Sequence, residues 1–161
     1  MKTQFQYTIG PYHILIKEEQ EAIALVSITN EIQLILSDDI VKETPLIHQA
    51  YLQIKEYLNN ERTQFTLPLL IRGTEFQQKV YHALLAIEYG HTATYKEIAQ
   101  IVQSPRGYRA VGNAVNKNPI GIIIPCHRII GSDGSLVGFA SGLEIKQYLL
   151  NIEQNNNFNK P

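Results

Sequence analysis

Apolar and polar positions alternate along the first part of this chain. Gln4 to Ile9 opens with that alternation, and Tyr12 to Lys17 is rich in β-formers. Ala22 to Thr29 and Glu31 to Leu36 follow, with Thr29-Asn30 as the turn between them. A period of two belongs to a strand with one buried face, so the pattern predicts strands through residue 36. The period then changes. Thr44-Pro45 reads as an N-cap with proline at the first helical position, and Leu46, Ala50, Ile54 and Leu58 recur at helical spacing to about Asn59. Arg62 to Ile71, which contains Pro68, follows neither period and predicts an extended linker.

The second half is helical in pattern. Thr74-Glu75-Phe76-Gln77 forms a capping box, opening a helix with Phe76, Val80, Leu84 and Ile87 on one face and Gly90 at its end. Thr94-Tyr95-Lys96-Glu97 is a second such box, for a short helix through Val102. After the turn Gln103-Ser104, Ser104-Pro105 predicts the start of a third helix running to about Lys117. Two short helices across so small a turn suit a helix-turn-helix, although an ordinary helical hairpin has the same spacing. Ser141-Gly142-Leu143-Glu144 opens a last helix carrying Leu143, Leu149, Leu150 and Ile152. Asn118 to Ala140 has little helical pattern and is where a site belongs. The tail Gln154 to Asn159 is of low complexity and is expected to fray.

Composition narrows the class. The 161 residues suit one domain or two small ones, and 44% apolar residues support a globular fold. One cysteine leaves no internal disulfide and points to a reducing, cytoplasmic setting. Neither a signal-peptide core nor an apolar run of membrane-spanning length is present, so no membrane partner is expected. Charge is uneven. Residues 1–70 hold 5 basic against 9 acidic residues, whereas residues 71–161 hold 9 against 6. Lys96, Arg106, Arg109, Lys117 and Arg128 lie in a stretch opposed only by Glu97, a set that suits a phosphate backbone or a merely solvated face.

The only cysteine stands in Ile124-Pro125-Cys126-His127-Arg128. A buried apolar cysteine is inert, but a thiol beside two potential cations is drawn toward the nucleophilic thiolate. In extended backbone Cys126 and His127 point to opposite faces, which makes a direct thiolate–imidazolium pair awkward. A histidine base needs a partner that fixes its tautomer, and Glu153 in the last helix is the candidate.

Pro125-Cys126-His127-Arg128 resembles the active-site signature of the O6-alkylguanine–DNA alkyltransferases. The resemblance extends through Gly73-Thr74, Phe76-Gln77, Tyr89-Gly90, Tyr95, Ser104-Pro105-Arg106, Arg109 to Ala114, Asn118-Pro119, Gly131, Asp133-Gly134, Gly142, Lys146, Leu149-Leu150 and Glu153. It covers about residues 73–153, and residues 1–70 match only in general pattern. The resemblance implies an α/β N-terminal domain over 1–70, a small sheet plus helix. A mostly helical C-terminal domain over 71–161 would follow, with a winged-helix-like helix-turn-helix. Cys126 would accept the alkyl group, and His127, with a water and Glu153, would deprotonate it. Asn118 would tie the recognition helix to the active-site turn, and Tyr95 would rotate the target phosphate and hydrogen-bond the flipped base. Arg109 would fill the stack, with Ala110 and Gly112 allowing close approach to the minor groove and Lys96 and Arg128 completing the DNA contacts.

The implied activity is direct reversal of O6-alkylguanine, with O4-alkylthymine a second candidate lesion. One irreversible turnover on double-stranded DNA, by a monomer without cofactor or metal, is expected. The rivals are a non-catalytic reader of alkylated DNA, which would lack the acceptor cysteine, a thiol hydrolase, and a methylation-responsive regulator. The chain departs from the family pattern at Glu88, where proline is usual, and at Tyr108, where a small residue is common. Phe139 and Ala140 replace the tyrosine and serine of animal members, whose zinc cysteines are also missing here.

Overall fold

Three eight-residue strands form an antiparallel meander: β1 (Lys2–Ile9), β2 (Tyr12–Glu19) and β3 (Ala22–Thr29). The computed structural model describes residues 2–33 and 37–155. Both hairpins have two-residue loops. The first uses Gly10-Pro11 with Gly10 at φ 57°, while the second places Gln20 and Glu21 at φ 54° and 60°. Two consecutive left-handed residues make the primed turn that matches strand twist, but without glycine each costs about 1–2 kcal/mol. A short strand β4 (Ile40–Val41), not legible in the sequence, pairs parallel with β1 and completes the order β3-β2-β1-β4.

The expected strand over Glu31 to Leu36 is not formed where it can be judged. Residues 31–33 are not in a strand, and 34–36 lie outside the described residues. The reason is visible at Gln33, whose backbone is bonded by a side chain instead of a neighbouring strand. Its N–H donates to Gln6 Oε1 at 2.9 Å, and its carbonyl accepts from Gln6 Nε2 at 3.1 Å.

Helix α1 (Pro45–Leu58) packs against the meander. Thr44 caps it by accepting from the Ile47 N–H. Ile47, Ala50, Ile54 and Tyr57 have no exposed surface, and they share a core with Ile14, Ile16, Ile23, Val26 and Ile28. Each such aliphatic side chain contributes about 1.5–3 kcal/mol by burial. The segment after α1 is extended and runs beside β3, with Ile23 N–H on the Pro68 carbonyl and Leu70 N–H on the Ile23 carbonyl, both 2.8 Å. Further along, Val26 N–H donates to Pro119 and Gly121 N–H to Val26. These bridges cover the outer edge of β3, which would otherwise present unpaired backbone groups. The chain accordingly divides into two compact units, Met1–Leu70 with Pro119–Gly121, and Ile71–Asn118 with Ile122–Pro161.

The second unit is mostly helical: α2 (Glu75–Leu85), α3 (Tyr95–Ile101), α4 (Tyr108–Asn116) and α5 (Leu143–Asn155). Thr74 and Gln77 form both halves of the capping box, and Thr94 accepts from the Glu97 N–H. The third helix starts at Tyr108, three residues later than Ser104-Pro105 suggests. Ser104 closes a turn instead of capping a helix: its carbonyl accepts from Gly107 N–H at 2.7 Å. A Cβ at Gly107 would stand 2.4 Å from Ser104 Oγ and 3.1 Å from the Ser104 carbonyl oxygen, so a side chain there would force Ser104 to shift. A two-stranded parallel pair, β5 (Ala93–Thr94) and β6 (Ile129–Ile130), sets the start of α3 beside the end of the cysteine segment. Among the described residues no helix is long and apolar enough to cross a membrane.

Candidate active site

The approach to the cysteine is buried and strained. Ile122, Ile123 and Ile124 are all buried, and Ile122 adopts φ 67°. A β-branched residue in the left-handed region costs energy that only a well-packed surrounding sustains. Pro125 follows, and Cys126–Arg128 forms a 3₁₀ turn closed by Arg128 N–H on the Pro125 carbonyl at 3.0 Å. The extended conformation expected here is therefore replaced by a turn, and the opposite-faces argument does not apply.

Glu153 is the centre of the arrangement. Its carboxylate is 1% exposed and receives donors on both oxygens. Oε1 accepts from Gly90 N–H at 3.1 Å and Arg128 Nε at 2.9 Å. Oε2 accepts from Arg128 Nη2 at 3.0 Å and lies 2.7 Å from His127 Nε2. Burial raises the Glu153 carboxyl, but His127 and Arg128 outweigh it and hold the group down at about 2. Glu153 is thus ionised at neutral pH. A carboxylate only accepts, so Nε2 of His127 carries the proton and the basic lone pair is on Nδ1. Burial lowers the His127 pKa against the opposing pull of Glu153, which keeps the imidazole neutral.

The thiol rests in its protonated form. Burial is the largest influence on Cys126 and pushes its pKa up, against the Asn118 side chain, Lys146 and two backbone N–H groups. The expectation of a thiol drawn to thiolate by two neighbouring cations is corrected on this point. His127 is neutral, and the Arg128 charge is matched by Glu153. Asn118, just beyond α4, donates from Nδ2 to the Ile124 carbonyl at 3.0 Å and so joins the helix end to the cysteine segment. Tyr95 donates its hydroxyl proton to the Val137 carbonyl at 2.8 Å. Lys146 Nζ donates to the same carbonyl at 3.1 Å. Tyr81, bonded to the Ala114 carbonyl at 3.0 Å, is also close enough for a Cys126 thiolate to raise its pKa, as is Tyr95.

The predicted residues therefore separate into groups. Cys126, His127, Glu153, Asn118 and Tyr95 converge in the second unit. Arg109, Ala110 and Lys96 are exposed, and Gly112 is half-buried with Tyr95 Cε1 3.8 Å from where a Cβ would stand. Lys96 Nζ lies 6.0 Å from the centre of the Tyr108 ring, which is 41% exposed. Arg128 is a correction. It is only 7% exposed, with Nη1 on the Ile87 carbonyl at 2.7 Å and the rest of the guanidinium on Glu153, so it cannot double as a phosphate contact. The sequence motif includes Lys146 without giving it a role. The available signal was that Lys146, Leu149, Leu150 and Glu153 share one face of α5, a lysine and a glutamate on an apolar stripe.

Three comparisons bear on this arrangement. Residues 75–155 match the family described as 6-O-methylguanine DNA methyltransferase, DNA binding domain. A methylated-DNA–protein-cysteine methyltransferase of Methanosarcina barkeri is 52% identical over 118 residues, 73% of this chain and 75% of that protein. The constitutive protein of that name from Bacillus subtilis is 42% identical over 146 residues, 88% of each chain. The crystal structure of Mycobacterium tuberculosis OGT in complex with DNA is 33% identical, with a TM-score of 0.88 over 96% of this chain and 94% of that one.

Proposed function

The chain belongs to the 6-O-methylguanine DNA methyltransferase family, and from that premise we propose that it repairs O6-alkylguanine in duplex DNA by moving the alkyl group to Cys126. The observation that carries this reading is the buried Cys126–Arg128 turn, with His127 held on Glu153 beside the single thiol. A resting thiol needs a base. Nδ1 of His127 takes the proton through a bridging water while Nε2–H stays on the ionised Glu153, which stabilises the imidazolium. The thiolate then attacks the alkyl carbon. An S–C bond forms, the C–O6 bond breaks, and its electron pair goes to the purine, which takes up one proton to become guanine. Tyr95 supplies that proton by turning its hydroxyl from the Val137 carbonyl to the base.

A base within a duplex is out of reach, so the target is flipped at a cost of a few kcal/mol. Arg109, exposed on α4, enters the stack and offsets part of that cost, and the exposed Lys96, Arg106 and Lys117 hold the backbone. The α3–α4 pair acts as the helix-turn-helix of a winged-helix-like unit. The thioether has no route back to thiol, so each molecule acts once, as a monomer and without a cofactor. Intact-mass spectrometry after incubation with an O6-methylguanine duplex tests the reading. One methyl mass per chain on the Cys126 peptide is expected, and none in Cys126→Ala. Duplex binding without a mass gain would instead mark a non-catalytic reader of the lesion.

A further inference from the structure

Tyr108 is the one phenylalanine or tyrosine that stands exposed among the described residues, with 41% of its surface open. An aromatic ring is a large apolar group to leave in water, and tyrosine is enriched where a partner covers it. Tyr108 opens α4, one residue before the exposed Arg109. It also departs from the family pattern, in which a small residue is common at this position.

The helix sets the direction of the ring. Side chains four residues apart share a face, so Tyr108 lies on the face of Gly112. A Cβ at Gly112 would meet Tyr95 Cε1 at 3.8 Å and Cδ1 at 3.9 Å, so this face of α4 looks onto the start of α3. Lys96, the next residue of α3, holds Nζ over the Tyr108 ring, 6.0 Å from its centre. Among the described residues the exposed Lys96 has no carboxylate within ion-pair distance. Its ammonium therefore keeps its charge, and attraction to the ring face narrows the positions that its flexible stem can take.

The surroundings select the occupant. Lys96, Arg106, Arg109 and Lys117 are all exposed and Glu97 alone opposes them, a balance that fits a polyanion. The same helices lie within the matched DNA binding domain. A ring beside an ammonium offers a nucleotide backbone two contacts, apolar surface for the deoxyribose and charge for the phosphate.

We propose that Tyr108 and Lys96 form one backbone clamp for duplex DNA, the ring packing on a deoxyribose while it holds the ammonium against the adjoining phosphate. The clamp rests on duplex DNA being the partner, as in the proposed function, but not on alkyl transfer. Fluorescence anisotropy with undamaged labelled duplexes of several sequences, over a range of salt, tests it in the full chain. Tyr108→Ala should weaken binding by about threefold to tenfold. The loss should be alike for every sequence, because backbone contacts carry no sequence information. Tyr108→Phe should keep most of the affinity, since the ring and not the hydroxyl makes the contact. Lys96→Met should flatten the slope of log affinity against log salt by about one unit. In the Lys96→Met background, Tyr108→Ala should cost much less than it does alone. Tyr108→Leu repeats the comparison if the alanine variant has a lowered thermal midpoint. Equal or tighter binding by Tyr108→Ala, or full additivity in the double variant, would overturn the clamp. Methyl uptake from an O6-methylguanine duplex is measured in parallel. If the unaltered protein shows the coupling but takes up no methyl group, the alkyl-transfer reading falls and the clamp stands. If it takes up methyl and the two residues show no coupling, the clamp alone falls.

Discussion

Arg128 grips Glu153 with two parallel bonds, Nε to Oε1 at 2.9 Å and Nη2 to Oε2 at 3.0 Å, and His127 shares the second oxygen at 2.7 Å. This fork fixes both the charge of the carboxylate and its orientation. The histidine is thereby offered a permanent acceptor and never a proton donor. The same guanidinium holds the Ile87 carbonyl just after α2 and lies 5.7 Å from the centre of the Tyr89 ring. The turn bearing the cysteine is thus anchored to two helices through one side chain.

Breaking that fork should be severe. Glu153→Gln keeps the shape but strands the buried Arg128 charge, so a loss of about 3–5 kcal/mol is expected. Urea unfolding monitored by circular dichroism measures it. A loss below 1 kcal/mol would mean that the pair contributes nothing beyond packing.

His127→Gln should slow methyl transfer by about 10²–10⁴-fold, the range for a lost general base. Duplex affinity should barely change, because His127 is fully buried. Single-turnover rates on an O6-methylguanine duplex, with affinity by fluorescence anisotropy, separate the two. Lost binding with an intact rate would reverse the assignment.

Arg109→Ala should strongly slow repair of duplex DNA and leave the reaction with free O6-benzylguanine nearly unchanged, since a free base needs no flipping. A simple phosphate contact predicts otherwise: weaker, salt-dependent affinity with the same rate at saturation. Equal losses on both substrates would point to a disturbed α4.

Acid should destabilise the fold in two stages. His127 is held below its ordinary value of 6.5 in the fold, so protonation is favoured on unfolding. Its contribution is complete above 6.5 and is lost as pH falls below that. Glu153 is held at about 2 against an ordinary 4.5, so its contribution begins to fall near 4.5 and is gone below about 2. Each group contributes at most about 1.4 kcal/mol per pH unit over its own range. Denaturation midpoints should stay level from pH 8 to about 6.5 and fall from there to pH 3, and His127→Gln should flatten the upper part of that fall. An unchanged upper slope in that variant would exclude His127 as its source.

The β2–β3 turn carries avoidable strain, because Gln20 and Glu21 are both left-handed. Glu21→Gly should stabilise the protein by about 0.5–1 kcal/mol, the relief of a left-handed non-glycine residue less the entropy that glycine loses. Thermal unfolding reads the change, and a lower midpoint would show that the Glu21 side chain matters more than its backbone.

Local signals were legible from the sequence because their physics is local. Thr44, Thr74 and Thr94 cap helices through bonds three residues ahead, and the alternation of β1 to β3 reflects one buried face. The motif around Cys126 marked the site for the same reason, since its residues are contiguous. Tertiary structure decided the rest. Whether an arginine faces solvent or a carboxylate is not written in its neighbours: Arg109 is exposed, while Arg128 finds Glu153 25 residues away and is buried by it. Gly90 reaches the same carboxylate across 63 residues. The third helix begins late because Ser104 bonds Gly107, and Gln33 leaves the strand pattern because Gln6 satisfies its backbone. Burial and long-range pairing set the charge state of the thiol, the histidine and the glutamate, and those depend on the low-dielectric environment that only the folded chain assembles.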